Sequence, residues 1–333
     1  MPLFDLPLTE LRAYRPDRDE PADFDDFWRG TLDTAAAVPL DVRAHPVDTP
    51  LTGVTVEDVR FAGWNGDPVH AWYIAPRHTT PLGCVVTYIG YHGGRGLPHQ
   101  HLVWPTAGWA TLVMDSRGQG GSSTSSPGAT GDPHGTDDPQ APGMMTKGIL
   151  SPETYYYRRL FVDAVRAVDV ATTRQGVPPG RIVVCGGSQG GGIAQAVAGL
   201  RDDLLAAFID VPFLTHFRRA LDIASTGPYP EIVRLLAARR DLEEPVMRTL
   251  SYFDGMHFAA RARTAALYSV ALRDTTCPPS TVFAGYHHWA GDKEIDVWPW
   301  NEHEGGQGHQ VERQLARLRQ MADGVAERLG LRP

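Results

Sequence analysis

The sequence predicts an α/β protein built around a mostly parallel central sheet flanked by helices, and three observations carry that expectation. Short apolar runs such as Cys84-Val-Val-Thr-Tyr-Ile89 and Ala110-Thr-Leu-Val-Met114 end in Gly or Asp, as strands buried on both faces do. From residue 153 onward, strand-like runs alternate with helical periodicity, the pattern of parallel strands joined by right-handed crossovers. Between one such run and one such helix stands Gly186-Gly-Ser188-Gln-Gly190, a glycine-lined turn that holds a serine.

Residues 1–54 read as an N-terminal extension. Within it Phe24, Phe27, Trp28 and Leu32 recur near a 3.6 spacing and predict an amphipathic helix over 23–37 that wraps onto the main body. Residues 54–61 and 69–74 alternate with a period near two and flank Asn65-Gly66, which predicts a hairpin. Residues 116–143 hold almost no large apolar side chain and predict a long surface loop. Tyr157, Leu160, Phe161, Ala164, Val165 and Val168 share one face of a helix over 153–174. A strand over 181–185 and a helix from Gln189 follow, with further strands at 206–210, 265–272 and 294–298 and a last helix over 309–329. The block 211–263 interrupts the alternation and reads as a helical cap inserted above the sheet's carboxyl edge. Strands on both sides of this block supply one set of reactive residues, so 1–333 is expected to form one catalytic domain.

Composition narrows the function. Of 333 residues, 42% are hydrophobic and 21% charged, which excludes a disordered chain or a coiled coil. The net charge of -8 argues against nucleic acid or an anionic membrane as partner and suits a small neutral substrate. Cys84, Cys185 and Cys277 stand far apart with no C-x-x-C, so neither a disulfide scaffold nor a cysteine zinc cage is expected. No metal-binding or nucleotide-binding motif occurs, and neither a metal nor a cofactor is expected. The start lacks a signal-peptide pattern and no window reaches 18 uninterrupted apolar residues, so a cytoplasmic protein is expected.

The chemistry centres on Ser188. Its strand-turn-helix setting is the one a nucleophile elbow requires, with glycines keeping Cβ atoms out of a crowded turn. A serine hydroxyl needs a base, itself oriented by an acid. Asp274 follows the strand over 265–272 and His303 follows the strand over 294–298, in the chain order that this architecture uses. Asp210 also ends a strand and stays open as the acid, whereas Asp115 reads as a loop anchor. His309 is the nearest rival to His303, and the adjacent pair His287-His288 points in two directions and makes no metal site. The oxyanion needs two N–H donors. Gln189, next after the nucleophile, supplies one, and Tyr91 in the glycine-rich loop after residues 84–89 is the choice for the other. Trp104 and the block 211–256 are candidates for the substrate wall.

At these residues the sequence resembles the acetyl xylan esterase / cephalosporin C deacetylase family, serine esterases of the α/β-hydrolase fold. The signatures are Arg117-Gly-Gln119, Gly186-Gly-Ser188-Gln-Gly190 and His303-Glu304, in the family's order, with further likeness at Asp210-Val-Pro-Phe213 and Cys277-Pro-Pro-Ser-Thr-Val282. The resemblance implies a Ser188, Asp274, His303 triad with Tyr91 and Gln189 N–H groups as the oxyanion hole. It also implies deacetylation of xylo-oligosaccharides, acetylated sugars and cephalosporin C, and a homo-oligomer, commonly a hexamer. Two departures stand out. Glu302 takes the place of an expected Asn, so His303 lies between two carboxylates, and Thr276 is more polar than the pocket-lining residue expected there. The competing classes are a serine peptidase or another ester or amide hydrolase of this fold, and a non-catalytic binding protein. A peptidase would be expected to carry a gating domain longer than 54 residues, and a binding protein would be expected to have lost a triad member.

Overall fold

The computed structural model describes residues 3–121, 126–134 and 143–328. Nine strands form one sheet in the order β1-β2-β3-β5-β4-β6-β7-β8-β9. They are β1 (Arg43–Pro46), β2 (Val54–Ala62), β3 (Pro68–Pro76), β4 (Cys84–Tyr88), β5 (Ala110–Met114), β6 (Ile182–Gly187), β7 (Ala206–Asp210), β8 (Ala265–Ala271) and β9 (Lys293–Trp298). From β5 across to β9 every pairing is parallel, while β1, β2 and β3 join antiparallel at one end. The expected hairpin joins β2 to β3. Both Asn65 (φ 54°) and Gly66 (φ 84°) take the left-handed conformation that an Asn-Gly turn supplies cheaply.

The helices are α1 (Leu8–Leu11), α2 (Phe24–Ala36), α3 (Val103–Thr106), α4 (Tyr156–Thr173), α5 (Gln189–Leu200), α6 (Phe217–Ile223), α7 (Tyr229–Ala238), α8 (Glu243–Ser251), α9 (Gly255–Ala259), α10 (Pro279–His288) and α11 (Gln307–Arg328). β4, β5 and β6 are apolar along nearly their whole length because helices cover both faces. On one face α4 and α5 pack into the main core, where Trp28 of α2 meets Phe161, Phe253 and Phe258 and its indole N–H donates to the Tyr252 carbonyl at 2.9 Å. On the other face Trp104 and Trp109 pack with Phe208 and Leu318 of α11. Helices α6 to α9 fill the interval between β7 and β8, where the sequence predicts a cap.

Of the loop expected over 116–143, residues 122–125 and 135–142 lie outside the described residues. Asp115 anchors the rest. Its Oδ1 accepts from the Arg95 N–H at 2.8 Å, and its Oδ2 accepts from the N–H groups of Ala129 at 2.5 Å and Thr130 at 2.8 Å. No helix among the described residues is long and apolar enough to cross a membrane.

Candidate active site

The carboxyl ends of the parallel strands meet at Ser188, between β6 and α5. Its backbone sits at φ 57°, ψ -120°, an uncommon conformation for a residue with a side chain, which the surroundings must hold in place at a cost of about 1–3 kcal/mol. Two glycines make the turn possible. A Cβ on Gly186 would lie 2.3 Å from the Gly190 carbonyl carbon, and one on Gly190 would lie 2.2 Å from the Tyr88 carbonyl oxygen of β4. The turn is tied to β7 by the Ser188 N–H, which donates to the Asp210 carbonyl at 2.9 Å.

The loops after β8 and β9 bring Asp274 and His303 to the serine. His303 Nε2 lies 2.9 Å from Ser188 Oγ, and His303 Nδ1 lies 2.8 Å from Asp274 Oδ2. An ionised carboxylate only accepts, so Nδ1 carries the proton and the Nε2 lone pair faces the serine hydroxyl. Asp274 is fully buried, and its Oδ1 accepts from the N–H groups of Thr276 at 2.8 Å and Cys277 at 2.9 Å. This arrangement can take the serine proton as the hydroxyl attacks an acyl carbonyl.

The two proposed oxyanion donors sit on elements that are bolted together. Gln189 opens α5, where the first N–H groups of a helix have no partner within it. Tyr91 follows β4, and its phenol donates to the Glu231 carboxylate of α7 at 2.9 Å while accepting from the Met144 N–H at 2.6 Å. Gln119 joins the two. Its Oε1 accepts from the His92 N–H at 2.7 Å, and its Nε2 donates to Gln189 Oε1 at 2.9 Å. Burial keeps Tyr91 protonated far above its ordinary range and lifts the Glu231 carboxyl above its usual value.

A cavity of about 790 Å³ opens over Ser188 and His303, and Tyr91, Pro228, Glu231 and Thr276 line it. Trp104 does not line it, contrary to the expectation from sequence. Helix α3 turns Val103 to solvent and the Trp104 ring down onto Phe208, beside a smaller neighbouring cavity. Asp210, the other candidate acid, turns its carboxylate to α11, where Oδ2 accepts from Gln314 Nε2 at 2.6 Å. Burial pushes its carboxyl up to about 7, with hydrogen bonding from Gln314, Ser269 and Gln310 opposing and the Asp296 charge adding. His309 lies on the outer side of α11, its side chain 80% exposed. The Glu304 carboxylate accepts from Asn301 Nδ2 at 2.9 Å and the Glu302 N–H at 3.0 Å, so it braces its own loop, and Glu302 is exposed.

Asp274, Cys277 and His303 place potential metal-ligand atoms within 4.8 Å of one another, but the Asp274 and His303 atoms concerned already pair with each other. Burial, reinforced by the Asp274 charge, keeps the Cys277 thiol protonated. Glu231 and the role of Gln119 were not read from the residues themselves. Only the Arg117-Gly-Gln119 signature pointed at Gln119, and Glu231 meets Tyr91 across 140 residues of chain.

The acetyl xylan esterase (AXE1) family profile matches residues 1–321. An acetyl xylan esterase from Paenibacillus sp. R4 is 40% identical, with a TM-score of 0.89 over 94% of this chain and 99% of that one. Acetyl xylan esterase 1 from Thermoanaerobacterium sp. JW/SL YS485 is 29% identical, with a TM-score of 0.86 over 95% and 99% of the two chains. Acetyl esterase Axe7A of Xylanibacter ruminicola is 26% identical over 87% of this chain, which spans 65% of that longer protein.

Proposed function

The chain belongs to the acetyl xylan esterase family and has the α/β-hydrolase fold, and on that premise we propose that it is a serine esterase removing acetyl groups from small acetylated sugars. The observation that carries this reading is the continuous line from Asp274 Oδ2 to His303 to Ser188 Oγ, with contacts of 2.8 and 2.9 Å, opening into a cavity. His303 takes the Ser188 proton as Oγ attacks the acetyl carbonyl, and Asp274 steadies the resulting imidazolium. The N–H groups of Tyr91 and Gln189 receive the oxyanion. His303 then protonates the departing sugar oxygen, and a water activated by the same imidazole hydrolyses the acetyl-enzyme.

Acetylated xylo-oligosaccharides and the acetyl ester of cephalosporin C present the same reacting group, an acetyl on an alcohol oxygen, and both are proposed substrates. The resemblance also brings a homo-hexamer, which sedimentation of the purified protein tests. For the activity, a chain-length series of p-nitrophenyl esters is compared between the wild type and Ser188→Ala. The expected result is highest turnover on acetate, reduced at least about 10⁴-fold by the substitution. A maximum on long acyl chains overturns the acetylesterase assignment, and activity indifferent to Ser188 overturns the mechanism.

A further inference from the structure

Tyr91 stands between Gly90 and the pair Gly93-Gly94, in a loop whose glycines let the backbone take many directions. Its N–H can serve an oxyanion only if something outside the loop aims it. On one side Gln119 Oε1 accepts from the His92 N–H at 2.7 Å. On the other the Tyr91 phenol reaches Glu231 of α7, at 2.9 and 3.1 Å from the two carboxylate oxygens, and accepts from the Met144 N–H at 2.6 Å. Glu231 Oε2 also accepts from the Met145 N–H at 3.3 Å. Phenol, carboxylate and the 144–145 backbone thus close a small ring of hydrogen bonds at the wall of the catalytic cavity, which Tyr91 and Glu231 both line. The chain makes room for that ring, since a Cβ on Gly143 would overlap the Glu231 carboxylate. Glu231 is 6% exposed, and its hydrogen-bond donors among the described residues are neutral, the Tyr91 phenol and the Met145 N–H. A carboxylate in such a place is costly, and an apolar side chain would fill the same space for less.

We propose that Glu231 is a positioning residue for the oxyanion hole: by holding the Tyr91 phenol it aims the Tyr91 N–H at the acyl oxygen, and it makes that aim depend on the cap helix that carries it. The inference deepens the esterase reading and rests on it, with Tyr91 as one of the two oxyanion donors. Both half-reactions pass through an oxyanion, so a loss of aim slows acylation and deacylation alike. It therefore lowers kcat and kcat/KM together and leaves KM near its wild-type value.

The test measures kcat and KM for p-nitrophenyl acetate in the wild type, Glu231→Leu, Glu231→Gln, Tyr91→Phe and the Tyr91→Phe/Glu231→Leu double variant, at a temperature where thermal unfolding shows each to be folded. Glu231→Leu removes the acceptor, and Tyr91→Phe removes the hydroxyl while leaving the Tyr91 N–H in place. Each is expected to lower kcat roughly 10- to 100-fold, as a displacement of about 1 Å does, with KM held within about threefold. Glu231→Gln keeps an oxygen for the phenol and is expected to recover most of that loss. The double variant is expected to fall no further than the lower single one, because both substitutions break the same contact. Wild-type kcat in both single variants, a loss confined to KM, or losses that multiply in the double variant overturn the positioning role and leave the Ser188-dependent esterase intact. Should Glu231→Leu fail to fold, Tyr91→Phe decides: a lowered kcat at constant KM supports the role, and an unchanged kcat overturns it. Wild-type protein that does not hydrolyse the ester overturns the esterase reading itself.

Discussion

Replacing Asp210 with Asn isolates a charge that the fold holds in an unfavourable place. Burial lifts this carboxyl from 3.8 to about 7, drawn back by hydrogen bonding from Gln314. The unfolded chain releases the proton near 4 and the native protein near 7, so the native state binds more protons throughout that interval. Stability from this group is therefore fully present below about pH 4 and is lost as pH rises towards 7. A difference of about three units at 1.36 kcal/mol each amounts to on the order of 4 kcal/mol. Asn keeps the shape and the oxygen that Gln314 Nε2 donates to, and it has no proton to release. Urea unfolding of both proteins between pH 4.5 and 7.5 reads the effect directly. The stability advantage of Asp210→Asn should widen steadily across that range and level off above it. A difference that stays constant with pH would refute the placement of a buried, proton-retaining carboxyl at this position.

Two further substitutions probe the elbow and the acid. Gly190→Ala places a Cβ 2.2 Å from the Tyr88 carbonyl oxygen, which is backbone of a central strand and cannot step aside. It should destabilise the protein by roughly 1–3 kcal/mol or more and reduce esterase activity, measured by thermal unfolding and p-nitrophenyl acetate turnover. Asp274→Asn keeps an oxygen for the Thr276 and Cys277 N–H groups but offers His303 no carboxylate, so kcat should fall about 10⁴-fold with little change in folding. Near-wild-type turnover by that variant would reject Asp274 as the acid.

What could be read from the sequence follows from distance along the chain. The strands β4 to β8 announce themselves as apolar runs, and the elbow as glycines between a run and a helix, because each signal lies within a dozen residues. The Asn65-Gly66 turn is local in the same way. β1 carried no such signal. Its four residues, Arg43–Pro46, are mostly exposed and belong to the sheet only through pairing with β2. Trp104 shows the complementary failure, since a large aromatic near the nucleophile's loop has two faces of the sheet to choose between. A four-residue helix sent it to the far one.

The polar scaffold around the serine was hidden for a different reason. Gln119 bonds His92 across 27 residues and Gln189 across 70, and Arg117 beside it is fully buried, its guanidinium gripping both Asp163 oxygens at 2.6 and 2.9 Å. None of these pairs has a spacing that a periodicity can show. Their effect is nevertheless specific. The proposed oxyanion donors, the N–H groups of Tyr91 and Gln189, follow two different strands, β4 and β6, and an oxyanion hole requires both to be aimed before the reaction starts. Gln119 holds one loop to the other, while Glu231 pins the Tyr91 phenol to the cap. The Arg117-Gly-Gln119 signature thus has a geometric role in holding these loops together. Arginine fixes the loop to α4 through Asp163, glycine permits the turn at φ 66°, and glutamine ties that fixed position to the His92 N–H and to the Gln189 side chain beside Ser188.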